Sequence, residues 1–237
     1  MKKDIRVFTV LLAMLVISGM MTAAGLSDQI SAREIKNAEL SRAIAAQGMV
    51  LLENNGVLPL SVGKVALFGA GAAKPIKGGT GSGDVNQRYV TSVIAGFKNA
   101  GFELTSEGWL SEYNELFEKG EAEFDGGMFA HFTMADIDIT DDYLAAAKEA
   151  DTAVYVIARN SGEGSDRSSG KGDYLLTDIE YNNLKTLGQT FENVVVVLNV
   201  GGIVDTKFFS EIEGLDSLLL MSQAGMEGGN AVLDVLT

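Results

Sequence analysis

The stretch Asp151 to Tyr174, DTAVYVIARNSGEGSDRSSGKGDY, decides how the rest of the chain is read. It opens with an apolar run, Ala153 to Ala158, rich in Val and Ile and ending at a polar, glycine-containing segment. Such a run suits a strand buried on both faces. The strand stops at Arg159-Asn160 and gives way to Ser161-Gly162-Glu163-Gly164-Ser165-Asp166-Arg167. In an open α/β sheet the loops that leave the carboxyl ends of the strands carry the chemistry. This loop holds Glu163 between two glycines, whose backbone freedom lets a carboxylate project from a sharp turn. Read without any other information, the same loop is a solvated acidic turn.

Working outward, Thr177 and Glu180 form a capping-box pattern that starts a helix running to Gln189. Val194 to Leu198 and Ser217 to Met221 read as further buried strands, and Gln223 to Gly229 turns into a helix that runs to the end. Upstream, Thr140 caps a helix through Ala150, and Val65 to Phe68 is the first strand. Val90 to Ala100 reads as a helix ended by Gly101, Phe102 to Thr105 as a strand and Leu110 to Phe117 as a helix. Ser31 and Glu34 form another capping-box pattern. Leu40, Ala43, Ile44 and Leu51 then fall on one helical face, and Asn54-Asn55-Gly56 is expected to end that helix. Residues 118–139 are acidic, with Phe124, Met128, Phe129 and Phe132 scattered among them, and read as an insertion packed on the surface. Strands alternating with helices predict an α/β fold with a mostly parallel sheet covered on both faces.

Composition removes several function classes. There are 18 Lys+Arg against 32 Asp+Glu, a formal net charge of −14. That balance argues against a nucleic-acid partner, which needs a basic footprint, and against docking on anionic lipid. There is no Cys, so disulfides and Cys-ligated metals are excluded. The single His, His131, argues against a His-based metal site or a serine–histidine triad, and no role is assigned to it. No metal or cofactor is expected.

A second glycine cluster follows the first strand: Gly69-Ala70-Gly71, then Gly78-Gly79-Thr80-Gly81-Ser82-Gly83-Asp84. A strand followed by glycines invites a nucleotide-binding reading. A dinucleotide fingerprint starting at Gly69 puts Lys74 where the third small residue belongs, and no Gly-Lys-Ser/Thr follows. The remaining readings are a tight turn that needs glycine, or a loop that frames a ligand. Trp109 is either a structural Trp or a platform for a sugar ring.

Residues 1–25 stand apart. Lys2, Lys3 and Arg6 precede an apolar run from Val7 to Met21, and Thr22-Ala23-Ala24 follows. This is the layout of a secretory signal peptide, with a membrane anchor as the alternative. The globular part is expected over 26–237, and the location outside the cytoplasm, with a cytoplasmic chain as the alternative.

ARNSGEGSDR followed by KGDYLLTDIE resembles the second domain of glycoside hydrolase family 3, the β-glucosidase and β-xylosidase family. GMVLLENNGVLPL (Gly48 to Leu60), KVALFGAGA (Lys64 to Ala72), IKGGTGSGDVNQRY (Ile76 to Tyr89), VVVVLNVGGIVD (Val194 to Asp205) and LLLMSQAGMEGGNAVLDVL (Leu218 to Leu236) extend the resemblance in the same order. The resemblance implies a three-layer α/β/α sandwich. It also implies a retaining glycosidase whose nucleophile, an Asp, sits on a separate (β/α)8 barrel, with the acid/base Glu on this domain. That Glu falls on Glu163. Lys77, Gly81, Ser82 and Asp84 match the loop at the rim of the sugar site. Asp166 and Arg167 match the loop of Glu163, where they either shape it, approach sugar hydroxyls or form a plain surface ion pair. Glu227 falls on a structural turn and not on a second catalytic carboxylate.

Two carboxyl groups flank the scissile bond in most glycosidases, and no residue here matches the barrel's nucleophile motif. A barrel takes about 250 residues, which this chain of 237 cannot spare. The resemblance therefore implies the front part of a longer enzyme of the domain-swapped order, stopping before the segment that usually follows Thr237. The expected partners are a β-linked oligosaccharide or glycoside and a barrel, downstream in the same polypeptide or supplied in trans. The competing function is a non-catalytic carbohydrate-binding or scaffolding module.

Overall fold

The structure is a computed structural model that describes residues 29–126, 132–163 and 167–237. The signal-like segment 1–25, His131 and Asp166 lie outside the described residues. The chain divides into two compact units, Met1–Asn37 and Ala38–Thr237. In the first, the Ser31–Glu34 capping box forms as predicted: the Ser31 N–H donates to Glu34 Oε2 at 2.8 Å and the Glu34 N–H to Ser31 Oγ at 3.2 Å.

The second unit is built on a six-stranded sheet. Its strands are β1 (Val50–Asn54), β2 (Lys64–Phe68), β3 (Glu103–Leu104), β4 (Thr152–Arg159), β5 (Asn193–Val200) and β6 (Ser217–Leu220). They lie in the order β1-β6-β5-β4-β2-β3. All neighbours are parallel except β1, which runs antiparallel to β6. The predicted strands at 65–68, 153–158, 194–198 and 217–221 are all present. β4 and β5 pair along their whole length, from Thr152 opposite Asn193 to Arg159 opposite Val200. Ala153 to Ile157 are all buried. Since successive side chains point to opposite faces, both faces of the sheet are covered.

The helices are α1 (Ala32–Gly48), α2 (Ala70–Ala73), α3 (Val93–Asn99), α4 (Glu107–Glu123), α5 (Asp141–Ala147), α6 (Asp178–Thr190), α7 (Lys207–Glu211) and α8 (Gly228–Leu236). The predicted capping box opens α6, with Thr177 Oγ1 accepting from the Glu180 N–H at 3.1 Å and Glu180 Oε2 from the Thr177 N–H at 2.8 Å. Helices α3 and α8 cross where Gly96 meets Gly229, and a side chain on either would run into the other helix or its approach.

Three expectations need correction. The helix begun at Ser31 ends at Gly48, not at Asn54, and Leu51 belongs to the edge strand β1. The Val-Leu-Leu run after Gly48 suits a strand, and pairing with β6 satisfies backbone groups that β6 otherwise leaves open. Second, the apolar face of α1 is not a core face: Leu40 is 55% and Ile44 60% exposed. Third, of the stretch read as a surface insertion, 118–126 does lie at the surface, but 132–139 does not merely pack there. Helix α4 continues to Glu123, and residues 132–139 form a strap whose Asp136 and Ile139 are buried. Asn183 holds it at two points, with Oδ1 accepting from the Ile139 N–H at 2.9 Å and Nδ2 donating to the Ile137 carbonyl at 2.9 Å. Tyr155 donates to Asp136 Oδ2 at 2.7 Å and Tyr113 to the Met134 carbonyl at 3.1 Å. Buried hydroxyl and amide groups need such partners, and the strap supplies them. Trp109 is fully buried, edge-on to Phe68 and stacked on Tyr113, so it is structural and cannot receive a sugar. Among the described residues no helix is long and apolar enough to cross a membrane.

Candidate functional site

An open cleft of about 1350 Å³ lies beyond the carboxyl ends of β2 and β4, where ligands gather in open α/β sheets. Lys77, the glycines of the 78–84 loop, Arg159, Glu163, Arg167 and Asp173 all line it. Glu163 leaves the end of β4 and is exposed. Its Oε2 accepts two hydrogen bonds from Ser82, one from the backbone N–H at 2.9 Å and one from Oγ at 3.0 Å. Thr80 Oγ1 donates to the Glu163 carbonyl at 3.2 Å. The two glycine loops touch backbone to backbone. A Cβ on Gly162 would strike Thr80, one on Gly79 would strike Ser161, and one on Gly81 would lie 2.5 Å from Glu163 Oε2. Gly81 also has φ +70°, a left-handed conformation that favours glycine. The glycines thus serve the close approach of two loops.

The Ser82 backbone N–H, followed by its hydroxyl, holds Glu163 below the usual carboxylate range. A carboxylate that accepts such donors is stabilised in its charged form. In this arrangement Glu163 is ready to take a proton, and a general acid must instead hold one.

The other cationic groups in the cleft are paired. Lys77 donates to Asp84 at 2.9 Å, to the Val85 carbonyl at 3.0 Å and to Gln87, closing the glycine loop on itself. Arg167 bonds the Asp173 carboxylate through Nε and its carbonyl through Nη2, while its buried Nη1 has no partner. Burial works against the Asp173 charge, yet the Ser168 N–H and the Arg167 guanidinium hold that carboxyl below its ordinary value. Arg159 and Glu180 form a buried two-pronged pair at 2.7 and 2.6 Å, and Arg159 Nε also donates to the Asp173 carbonyl at 3.1 Å. The structure therefore brings Lys77, Gly81, Ser82, Asp84, Glu163 and Arg167 to one cleft. Glu227 stands apart, buried at the start of α8 and bonded by Tyr89 and Asn230.

Sequence reasoning missed three supports. Asn199, fully buried near the end of β5, accepts from the Ile76 N–H at 2.6 Å and donates to the Ile76 and Ser222 carbonyls, anchoring the approach to the glycine loop. An Asn inside the run VVVVLNV was a legible signal, since a polar side chain in a buried strand must have partners. Ser161 donates to the Gly201 carbonyl at 2.6 Å, and Gln223 to Asn160 at 3.3 Å. The Arg159–Glu180 pair had no readable spacing. Among the described residues no group of three or more His, Cys, Asp or Glu is placed to hold a metal ion.

Residues 49–237 match the family model described as glycosyl hydrolase family 3 C-terminal domain. The chain belongs to glycoside hydrolase family 3. It is 35% identical over 229 residues to beta-glucosidase A of Butyrivibrio fibrisolvens, a match covering 85% of this chain and 27% of the relative. It is 37% identical over 202 residues to a beta-glucosidase of Ruminococcus albus, covering 84% of this chain and 21% of that one. Beta-glucosidase 3B of Thermotoga neapolitana, solved in complex with α-D-glucose, superposes with TM-score 0.76 at 37% identity, covering 86% of this chain and 29% of that one. A beta-glucosidase of Paenibacillus barengoltzii gives TM-score 0.76 at 31% identity, covering 84% and 22%. This family 3 domain thus spans about a quarter of the length of the curated relatives it matches. The family and the α/β sandwich expected from the motifs both stand.

Proposed function

We propose that this domain carries the acid/base carboxyl, Glu163, of a retaining β-glycosidase of β-glucosidase type. The observation that carries the reading is the placement of one carboxylate at the end of β4, clasped by a glycine loop at the mouth of an open cleft. Retaining hydrolysis needs a second carboxyl about 5–5.5 Å from the first. Asp84, Asp173 and Glu180, which line the cleft, are each paired with a cation, and no residue of the chain matches the barrel's nucleophile motif. The nucleophile then comes from a (β/α)8 barrel, in the same polypeptide or in trans. A carboxylate brought that close raises its neighbour's proton affinity, which supplies the protonated Glu163 that the first step requires. After the glycosyl-enzyme forms, Glu163 is the base that activates water.

Lys77, Gly81, Ser82 and Asp84 frame the sugar side of this reading. Arg167 lines the same cleft, where its guanidinium shapes the loop through Asp173; Asp166 is its neighbour in sequence. The substrate class is a β-linked glucoside or oligosaccharide, and the apolar leader implies a secreted or membrane-anchored enzyme.

The test is Glu163→Ala in the barrel-containing enzyme. General acid–base assistance is worth about 10²–10⁴-fold, and natural disaccharides should lose close to that. Aryl glycosides with good leaving groups should still form the intermediate and then stall. Azide should restore turnover and give a β-glycosyl azide. A loss below about tenfold on disaccharides would assign the acid elsewhere, with Asp166 next to be tried. The 237-residue chain alone should not turn over aryl β-glycosides.

A further inference from the structure

Three of the carboxylates that line the cleft are neutralised by a cation. Lys77 faces Asp84, Arg159 faces Glu180 and Arg167 faces Asp173. Glu163 is instead held by an uncharged residue, which donates twice to the same oxygen. The oxygen Oε2 is also the atom against which Gly81 is packed, so the loop that presents Ser82 leaves no room for a side chain there. One face of the carboxylate is thereby fixed against the loop, and its rotamer with it.

We propose that Ser82 is a positioning residue for Glu163, clamping Oε2 through its amide and hydroxyl so that the carboxylate is kept charged and aimed into the cleft. The role of the clamp in acid/base work rests on the reading of Glu163 given above; the clamp itself does not. Its consequence is an asymmetry between the two halves of the reaction. The clamped carboxylate is a base. To act as an acid it must hold a proton, and a protonated carboxyl, with the proton on Oε1, accepts the two bonds of Ser82 at Oε2 more weakly than the charged form does. The clamp therefore opposes the first step and favours the second. The groups that face Glu163 from the packed elements are Ser82 and Thr80 on the glycine loop, and the three ion pairs just named across the cleft.

Two measurements test this, one of which needs no activity. In the 237-residue chain, the Glu163 side-chain carboxyl and the residue-82 amide are followed by NMR from pH 2.5 to about 7. The amide proton of Ser82 should move with the Glu163 midpoint and stay flat in Glu163→Gln. Ser82→Ala should shift the Glu163 midpoint upward, and Ser82→Thr, which keeps the hydroxyl, should bring it back. A flat Ser82 amide in the unmodified chain overturns the clamp, even if the variants fail to fold. So does an unchanged midpoint in Ser82→Ala. In the barrel-containing enzyme the acid is active only when protonated. Ser82→Ala should therefore move the alkaline limb of kcat/KM to higher pH, a change that mere loop loosening does not produce. If the NMR coupling holds and Glu163→Ala leaves disaccharide hydrolysis intact, the clamp stands and the acid/base assignment falls. If Glu163→Ala abolishes hydrolysis but the Ser82 amide is flat, the reverse is true.

Discussion

Replacing Asp136 by Asn should remove a specific pH dependence of stability. Asp136 is 4% exposed, on the strap beneath which Tyr155 and Asn183 lie. Its Oδ2 accepts from Tyr155 at 2.7 Å, and its Oδ1 has no partner. Burial, opposed by the Tyr155 hydroxyl and augmented by the Glu180 charge, pushes its carboxyl from 3.8 up to about 7. The unfolded chain releases this proton near 3.8, while the folded chain keeps it until about pH 7. Between those values the folded state binds more protons, so stability falls as pH rises through the window. One pH unit is worth about 1.4 kcal/mol. The interval of roughly three units then amounts to about 4 kcal/mol, fully present below pH 4 and gone above pH 7.

The assay is urea denaturation of the chain and of Asp136→Asn at half-unit steps from pH 5 to 8.5. Asn keeps the shape and an oxygen for Tyr155 but does not titrate. The difference between the two stability curves isolates Asp136 from the general repulsion expected in a chain of net charge −14. From pH 5 to 7 the unmodified chain should lose about 2 kcal/mol relative to the variant, and the variant should be the more stable protein at pH 8. Parallel curves would refute the buried, protonated Asp136.

The Arg159–Glu180 pair is buried at 8% and 4% exposure, so Arg159→Met, which strands Glu180, should cost about 3–5 kcal/mol in the same urea assay. Arg159→Met with Glu180→Leu should be less harmful than Arg159→Met alone, because no charge is left unpaired. Gly81→Ala puts a methyl group against Glu163 at a left-handed backbone position; it should cost about 1–2 kcal/mol and uncouple the Ser82 amide from Glu163 in the NMR titration.

The sheet was legible because β4 and β5 are short, nearly unbroken Val and Ile runs that only a doubly covered strand accommodates. The edges were less so. VLLEN continues the apolar spacing of α1, and only the open side of β6 decides that it pairs as a strand. The strap at 132–139 carried no periodic signal, since its backbone is held by side chains of α6 and β4 and not by a regular ladder. For the candidate site the sequence pointed to both glycine loops and to Glu163. It could not show that Lys77 is occupied by its own loop or that Ser82 turns to Glu163. Those are contacts between residues 81 positions apart in one case and 7 in the other, neither of which follows from a local pattern.

The glycines of the two loops carry a physical constraint that ties these observations together. Gly79 and Gly162 are placed where backbone meets backbone and Gly81 where backbone meets the Glu163 side chain, so the loops from β2 and β4 cannot separate without exposing donors and acceptors that now face each other. Asn199 fixes the base of one loop, and Ser161, through Gly201, fixes the base of the other, both to the end of β5. The ends of β2, β4 and β5 thus brace the two loops that present Glu163, while its side chain stays exposed. A binding module needs complementary surface but has no need of one carboxylate fixed so firmly at an open mouth. Acid–base chemistry does, because proton transfer requires the carboxyl within hydrogen-bond reach of the reacting oxygen. The rigidity of the clasp therefore favours the catalytic reading over the scaffolding one.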